Sequence, residues 1–150
     1  MIQKKHVIDD PFFVPETQQI FLVVLGLVLP ALLIFIVQFT GYSEIVEEIA
    51  KASVVIFLIL NFSTLKSKIL AGILFGFLFG LSENCFYFSQ IFEIGNIHLF
   101  WLRFIWTMPM HILTILFMVL IGSIKKWFVV IGFVGAVLLH GLFNGIVAGM

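Results

Sequence analysis

Apolar runs long enough to cross a bilayer recur five times in this chain, at about Ile20 to Thr40, Ser43 to Phe62, Ile69 to Ile91, Leu102 to Gly122 and Trp127 to Ala148. About 30 Å of hydrocarbon takes roughly 20 helical residues at about 1.5 Å each, and only a backbone that satisfies its own hydrogen bonds is stable there. The joins are short: Thr40-Gly41-Tyr42, Ser63 to Lys68, Phe92 to Trp101 and Ser123 to Lys126. They leave no room for a soluble domain. The expectation is an all-α membrane protein, a compact bundle of about five transmembrane helices with antiparallel neighbours. Composition agrees, since 62% hydrophobic residues, a mean hydropathy of +1.22 and 19 Phe in 150 residues lie outside the soluble range. Residues 1–18 read as a polar N-terminal segment with Pro11 and Pro15, and residues 19–150 as one transmembrane helical domain. The first apolar run has no small-residue cleavage site after it and reads as a retained helix. A net charge of zero gives no sign of nucleic acid as a partner, and the single Cys85 excludes an internal disulfide.

Basic residues set the orientation. In a five-helix arrangement Lys4, Lys5, Lys66, Lys68, Lys125 and Lys126 fall on the N-terminal side and Arg103 on the other. The positive-inside bias then places the N-terminus inside and the C-terminus outside. Trp101, Trp106 and Trp127, near helix ends, suit interfacial belts.

Against this apolar background the second run opens with Ser43-Glu44-Ile45-Val46-Glu47-Glu48-Ile49-Ala50-Lys51. A charge at a membrane helix centre costs roughly 2.5–3.5 kcal/mol on insertion scales, so such groups are read as functional by default. Measured along the helices from their outer ends, Glu47, Glu83, His111 and His140 lie at one depth, within roughly 6–15 Å of the same face. On the third run, Gly72, Gly76 and Gly80 form a small-xxx-small ridge that lets helices approach closely, and Glu83 shares that face. On the fourth, Thr107, His111 and Thr114 share a face, with Pro109 removing a backbone donor. On the fifth, Gly141, Gly145 and Gly149 repeat the glycine pattern beside a stripe of His140, Asn144 and Ala148.

These residues carry a resemblance. Glu47-Glu48-Ile49-Ala50-Lys51 resembles the EExxK signature of the PrsW family of intramembrane proteases. Glu83 to Tyr87 is similar to its second motif, and His111 and His140-Gly141-Leu142-Phe143-Asn144 to its two histidine motifs. The wider superfamily of CAAX-prenyl proteases and bacteriocin-processing (Abi) enzymes is similar, with EExxxR, FxxxH and HxxxN. Here HxxxN is met in full, Thr107 stands where FxxxH has Phe, and Ala52 stands where the Arg would be, departures that favour the PrsW side. The resemblance spans Glu44 to Gly145.

It implies an intramembrane endopeptidase acting on a membrane-associated protein or peptide, and the chemistry of the residues is compatible with that. Two adjacent carboxylates in a low-dielectric site cannot both ionise cheaply, while Lys51, at i+4 from Glu47 and i+3 from Glu48, favours one charge. The expected assignment makes Glu47 the general base with Glu48 beside it, His111 a proton shuttle, and His140 with Asn144 the oxyanion donors, supported by Lys51, Glu83 and Tyr87. Metal-free glutamate catalysis is favoured, because no HExxH spacing is present. The alternative is a zinc ion held by Glu47, Glu83, His111 and His140. A proton or ion transporter using the same layer as a relay is the reading from another class; the absence of an internal repeat and the one-sided depth of the layer count against it. The partners expected are the bilayer and a membrane protein substrate, in a prokaryotic plasma membrane with the site towards the external face.

Overall fold

A computed structural model describes residues 16–95 and 97–148. The chain folds into α1 (Glu16–Thr40), α2 (Ser43–Asn61), α3 (Leu65–Ile94), α4 (Ile97–Ile124), a 3₁₀ turn (Lys126–Phe128) and α5 (Val129–Ala148). Lys4, Lys5, Pro11, Pro15 and Gly149, used in the sequence reading, lie outside the described residues.

The joins are tighter than the sequence implies. Gly41, at φ +74°, turns the chain between α1 and α2, and Gly95, at φ +76°, ends α3 in the left-handed region that glycine adopts without Cβ strain. The Thr64 side chain caps α3 by accepting the Ser67 backbone N–H at 3.1 Å. As a result α3 and α4 run to 30 and 28 residues, longer than a bilayer core needs, and almost no loop remains between them. α4 continues through Pro109 without interruption.

Four helical stretches are long and apolar enough to span on their own: Glu16–Thr40, Leu65–Glu93, Phe100–Ile124 and Lys126–Ile146. The fifth helix of the bundle, α2, is less apolar because Glu44, Glu47, Glu48 and Lys51 occupy its first half. It touches all four other helices. Its buried face is Glu47, Glu48, Lys51, Val54, Val55 and Leu58, whereas Ile45, Ile49, Ile56 and Leu60 are exposed. α2 is therefore amphipathic in the membrane sense, with charge facing the interior and hydrocarbon facing outward.

Glycine decides how close the helices come. A methyl group at Gly76 would lie 2.9 Å from Ile112 Cα, and one at Gly80 3.2 Å from Met108 Cα and 3.0 Å from the His111 ring, so the α3 ridge packs directly on the α4 backbone. The second glycine stripe does not behave as the sequence suggests. Gly145 faces open space and Gly141 has only Glu44 Cγ nearby at 4.0 Å; α5 meets α4 through Gly132 and Gly135, which press on Met118 and Phe117. Below the polar layer the core is Leu22, Val55, Leu58, Phe75, Phe79, Ile115, Met118 and Val119, all fully buried.

Candidate active site

The interior face of α2 delivers Glu47, Glu48 and Lys51 to the centre of the bundle, where α3 adds Glu83 and Tyr87, α4 adds His111 and α5 adds His140. Glu48 and Lys51 have no exposed surface. Glu48 Oε1 accepts from Lys51 Nζ at 2.6 Å and from His140 Nδ1 at 2.8 Å. Lys51 also lies 4.8 Å from the centroid of the Phe79 ring, which packs at a tilt of 56° against His111 with 5.0 Å between centroids. The lysine is thus held by a carboxylate and an aromatic face, which compensates for its loss of hydration.

A carboxylate only accepts, so the His140–Glu48 bond places a proton on Nδ1 and turns Nε2 towards the rest of the cluster. That Nε2 lies 3.9 Å from Glu47 Oε2. A histidine whose outer nitrogen is held by a carboxylate is the usual arrangement behind a metal ligand or a general base. Glu47 Oε2 accepts no hydrogen bond.

Glu83 bonds His111 Nε2, and its other oxygen lies 3.7 Å from Arg103 Nη2. Arg103 in turn stacks over Tyr87, 4.0 Å from the ring centroid. The two histidine rings meet edge to face at 5.5 Å. Asn144 is half-buried one turn beyond His140, and among the described residues it makes no hydrogen bond to the cluster. Thr107 and Thr114 are buried on the His111 face, as their spacing predicts.

Donor atoms of Glu47, Glu83 and His111 all lie within 4.8 Å of one another. Three carboxylates, Glu47, Glu48 and Glu83, share this interior with two fixed cations, Lys51 and Arg103. A divalent cation would offset the excess negative charge in a low-dielectric site. Two carboxylates and an imidazole, with His140 Nε2 adjacent, suit zinc and leave a position open for water. The residues present therefore fit a metal ion.

A cavity of about 220 Å³ opens onto this cluster between α1, α2 and α3. Glu47 and Glu83 form its polar wall, with Tyr87, Ser43 and Gln38 nearby and apolar side chains of α1 opposite.

Sequence reasoning placed seven of these groups but gave Arg103 only a topological role. The signal was available, since Arg103, Thr107 and His111 recur at i, i+4 and i+8 on one helix, a stripe that winds slowly around α4. Phe79, the aromatic floor under Lys51 and His111, carried no distinguishing signal among 19 Phe.

Comparison with curated proteins and with solved structures gives no match. A family model described as "PrsW family intramembrane metalloprotease" matches residues 16–150, covering all five helices and every residue of the buried cluster. With four apolar helices and a cavity that ends on buried carboxylates, the chain belongs to the PrsW family of intramembrane proteases.

Proposed function

We propose that this chain hydrolyses a peptide bond of a membrane-embedded or membrane-adjacent protein, using water activated at Glu47. The observation that carries this is the Glu47 carboxylate. It is buried, its Oε2 accepts no hydrogen bond, it faces the cavity, and it lies 3.9 Å from His140 Nε2. Two atoms 3.9 Å apart have the spacing to share one water at about 2.8 Å from each.

The water adds to the scissile carbonyl carbon while its proton passes to Glu47. Collapse of the tetrahedral oxyanion breaks the C–N bond, and Glu47 returns the proton to the leaving amine. His140 Nε2 holds the water, and Glu48 with Lys51 keeps the ring in the required tautomer. Asn144, one turn from His140, is the side-chain amide available to the oxyanion. Glu83 fixes His111, and Arg103 fixes Glu83.

Glu47, Glu83 and His111, with His140 as the adjacent donor, would hold a divalent cation, in keeping with the word metalloprotease in the family description. When bound, it supplies Lewis-acid polarisation of the peptide carbonyl and acidifies water. The roles of Glu48, Lys51 and Arg103 in orienting the donors are the same with or without it. The metal-free reaction, which the sequence favours, is supported by the unbonded Glu47 oxygen, able to serve as a base unaided; the metal-assisted reaction is the second reading, supported by the Glu47, Glu83 and His111 group.

Cleavage of a single-span reporter peptide by detergent-purified protein tests both. Wild type is expected to cut, and Glu47→Gln and His111→Ala to lose cleavage by about 100-fold or more. Full cleavage by Glu47→Gln overturns the assignment. Loss of activity on chelation, restored by zinc, selects the metal-dependent reaction, and survival of activity selects the metal-free one.

A further inference from the structure

We infer that the cleft between the C-terminal half of α1 and the α2–α3 pair is the substrate's side-chain subsite, admitting one bulky apolar residue beside the scissile bond, with Leu33 and Ile34 setting its size. This rests on the protease reading. The cavity is two-sided: Pro30, Leu33, Ile34 and Val37 of α1 form an apolar wall, and Glu47 and Glu83 form the wall opposite. A substrate held there places hydrocarbon against α1 and its backbone against the carboxylates. Its volume of about 220 Å³ exceeds the ~150 Å³ that suffices for a benzene ring in an apolar protein cavity. A Leu or Phe side chain fits; a folded helix, about 10 Å across, does not, so the segment must be unwound where it is cut.

The packing of α1 explains why the opening lies there. Its N-terminal half is pinned to α3: a methyl at Gly26 would lie 2.9 Å from Leu78 Cβ, and Ser82 Oγ donates to the Leu27 carbonyl at 2.7 Å. Three residues later Pro30 removes the N–H that the Gly26 carbonyl would otherwise accept. Beyond that point α1 carries exposed Leu32, Phe35, Ile36 and Phe39 on its outer side, while Leu33, Ile34 and Val37 line the cavity, Leu33 also joining the core. A membrane segment reaches the carboxylates sideways, from the lipid, at this seam.

The test uses two single-span reporters that differ only in Phe or Ala at the residue next to the cleavage site. Wild type is expected to prefer Phe. Ile34→Trp is expected to lower the Phe-to-Ala cleavage ratio by about 10-fold or more, and Leu33→Ala, which widens the cleft, to raise it. Leu32→Trp, on the outer side, leaves the ratio unchanged. A photoreactive side chain placed at Ile34 in the Glu47→Gln protein is expected to capture the uncut reporter, and one placed at Leu32 is not. An unchanged ratio in both Ile34→Trp and Leu33→Ala, or equal capture from 32 and 34, overturns the subsite. Capture at 34 without cleavage by wild type refutes the protease reading while supporting the cleft as a binding site for an apolar segment.

Discussion

Replacing Glu48 by Gln preserves shape and an acceptor oxygen but removes a charge that two donors share, Lys51 Nζ at 2.6 Å and His140 Nδ1 at 2.8 Å. Each hydrogen bond to a charged group is worth about 1.5–3 kcal/mol. The larger effect is what is left behind, because Lys51 has no exposed surface and its next carboxylate, Glu47, is 4.0 Å away. Removing one partner of a buried pair costs about 3–5 kcal/mol, mostly as an uncompensated charge. Glu48→Gln and Lys51→Met should each destabilise by that order in equilibrium unfolding of the protein in mixed micelles. The double variant removes both charges, so its cost should fall short of the sum by about 2 kcal/mol or more. Costs that add to within about 0.5 kcal/mol would show that the two groups do not depend on each other and would refute the buried-pair account. The double variant should regain stability without regaining cleavage, because His140 loses its anionic partner.

Three further outcomes follow from the geometry. Gly76→Val places methyl groups where Ile112 Cα already lies 2.9 Å from a Cβ position, so α3 and α4 separate and His111 leaves Glu83; thermal unfolding should show a loss of about 1–3 kcal/mol, with cleavage abolished. Ser82→Ala removes one hydrogen bond to the Leu27 carbonyl, and a loss of about 1 kcal/mol in the same unfolding assay is expected. Arg103→Lys keeps the charge but loses the planar stack on Tyr87 at 4.0 Å; cleavage should fall several-fold while stability changes by about 1 kcal/mol or less, since Arg103 is partly exposed.

Much of this was legible because a membrane raises the cost of every polar group. Glu47, Glu83, His111 and His140 stand out against hydrocarbon, and counting along the helices at a fixed rise placed them at one depth. The same periodicity predicted the face shared by Glu83 and the Gly72–Gly76–Gly80 ridge, which the structure presses against α4. Pairing was not legible. Periodicity put Glu47 and Glu48 about 100° apart but not which one met Lys51 and His140, a matter of how α5 lies beside α2. The Gly141 and Gly145 stripe misled for a related reason, since a small-residue pattern permits close packing without supplying a neighbour, and the neighbour went to Gly132 and Gly135. Glycine caps were also underweighted: Gly95 lets α3 run to Ile94 and α4 restart at Ile97, where hydropathy alone suggested a ten-residue join.

The proposed reaction turns on buried Glu47 activating water to cut a peptide bond. Its most direct measurement is mass spectrometry of a single-span reporter incubated in ¹⁸O-labelled water with purified wild type or Glu47→Gln protein. Wild type is expected to give two fragments with one ¹⁸O atom in the new carboxylate, and Glu47→Gln to leave the reporter intact. Equal fragments from both proteins, or an intact reporter with wild type, would contradict it.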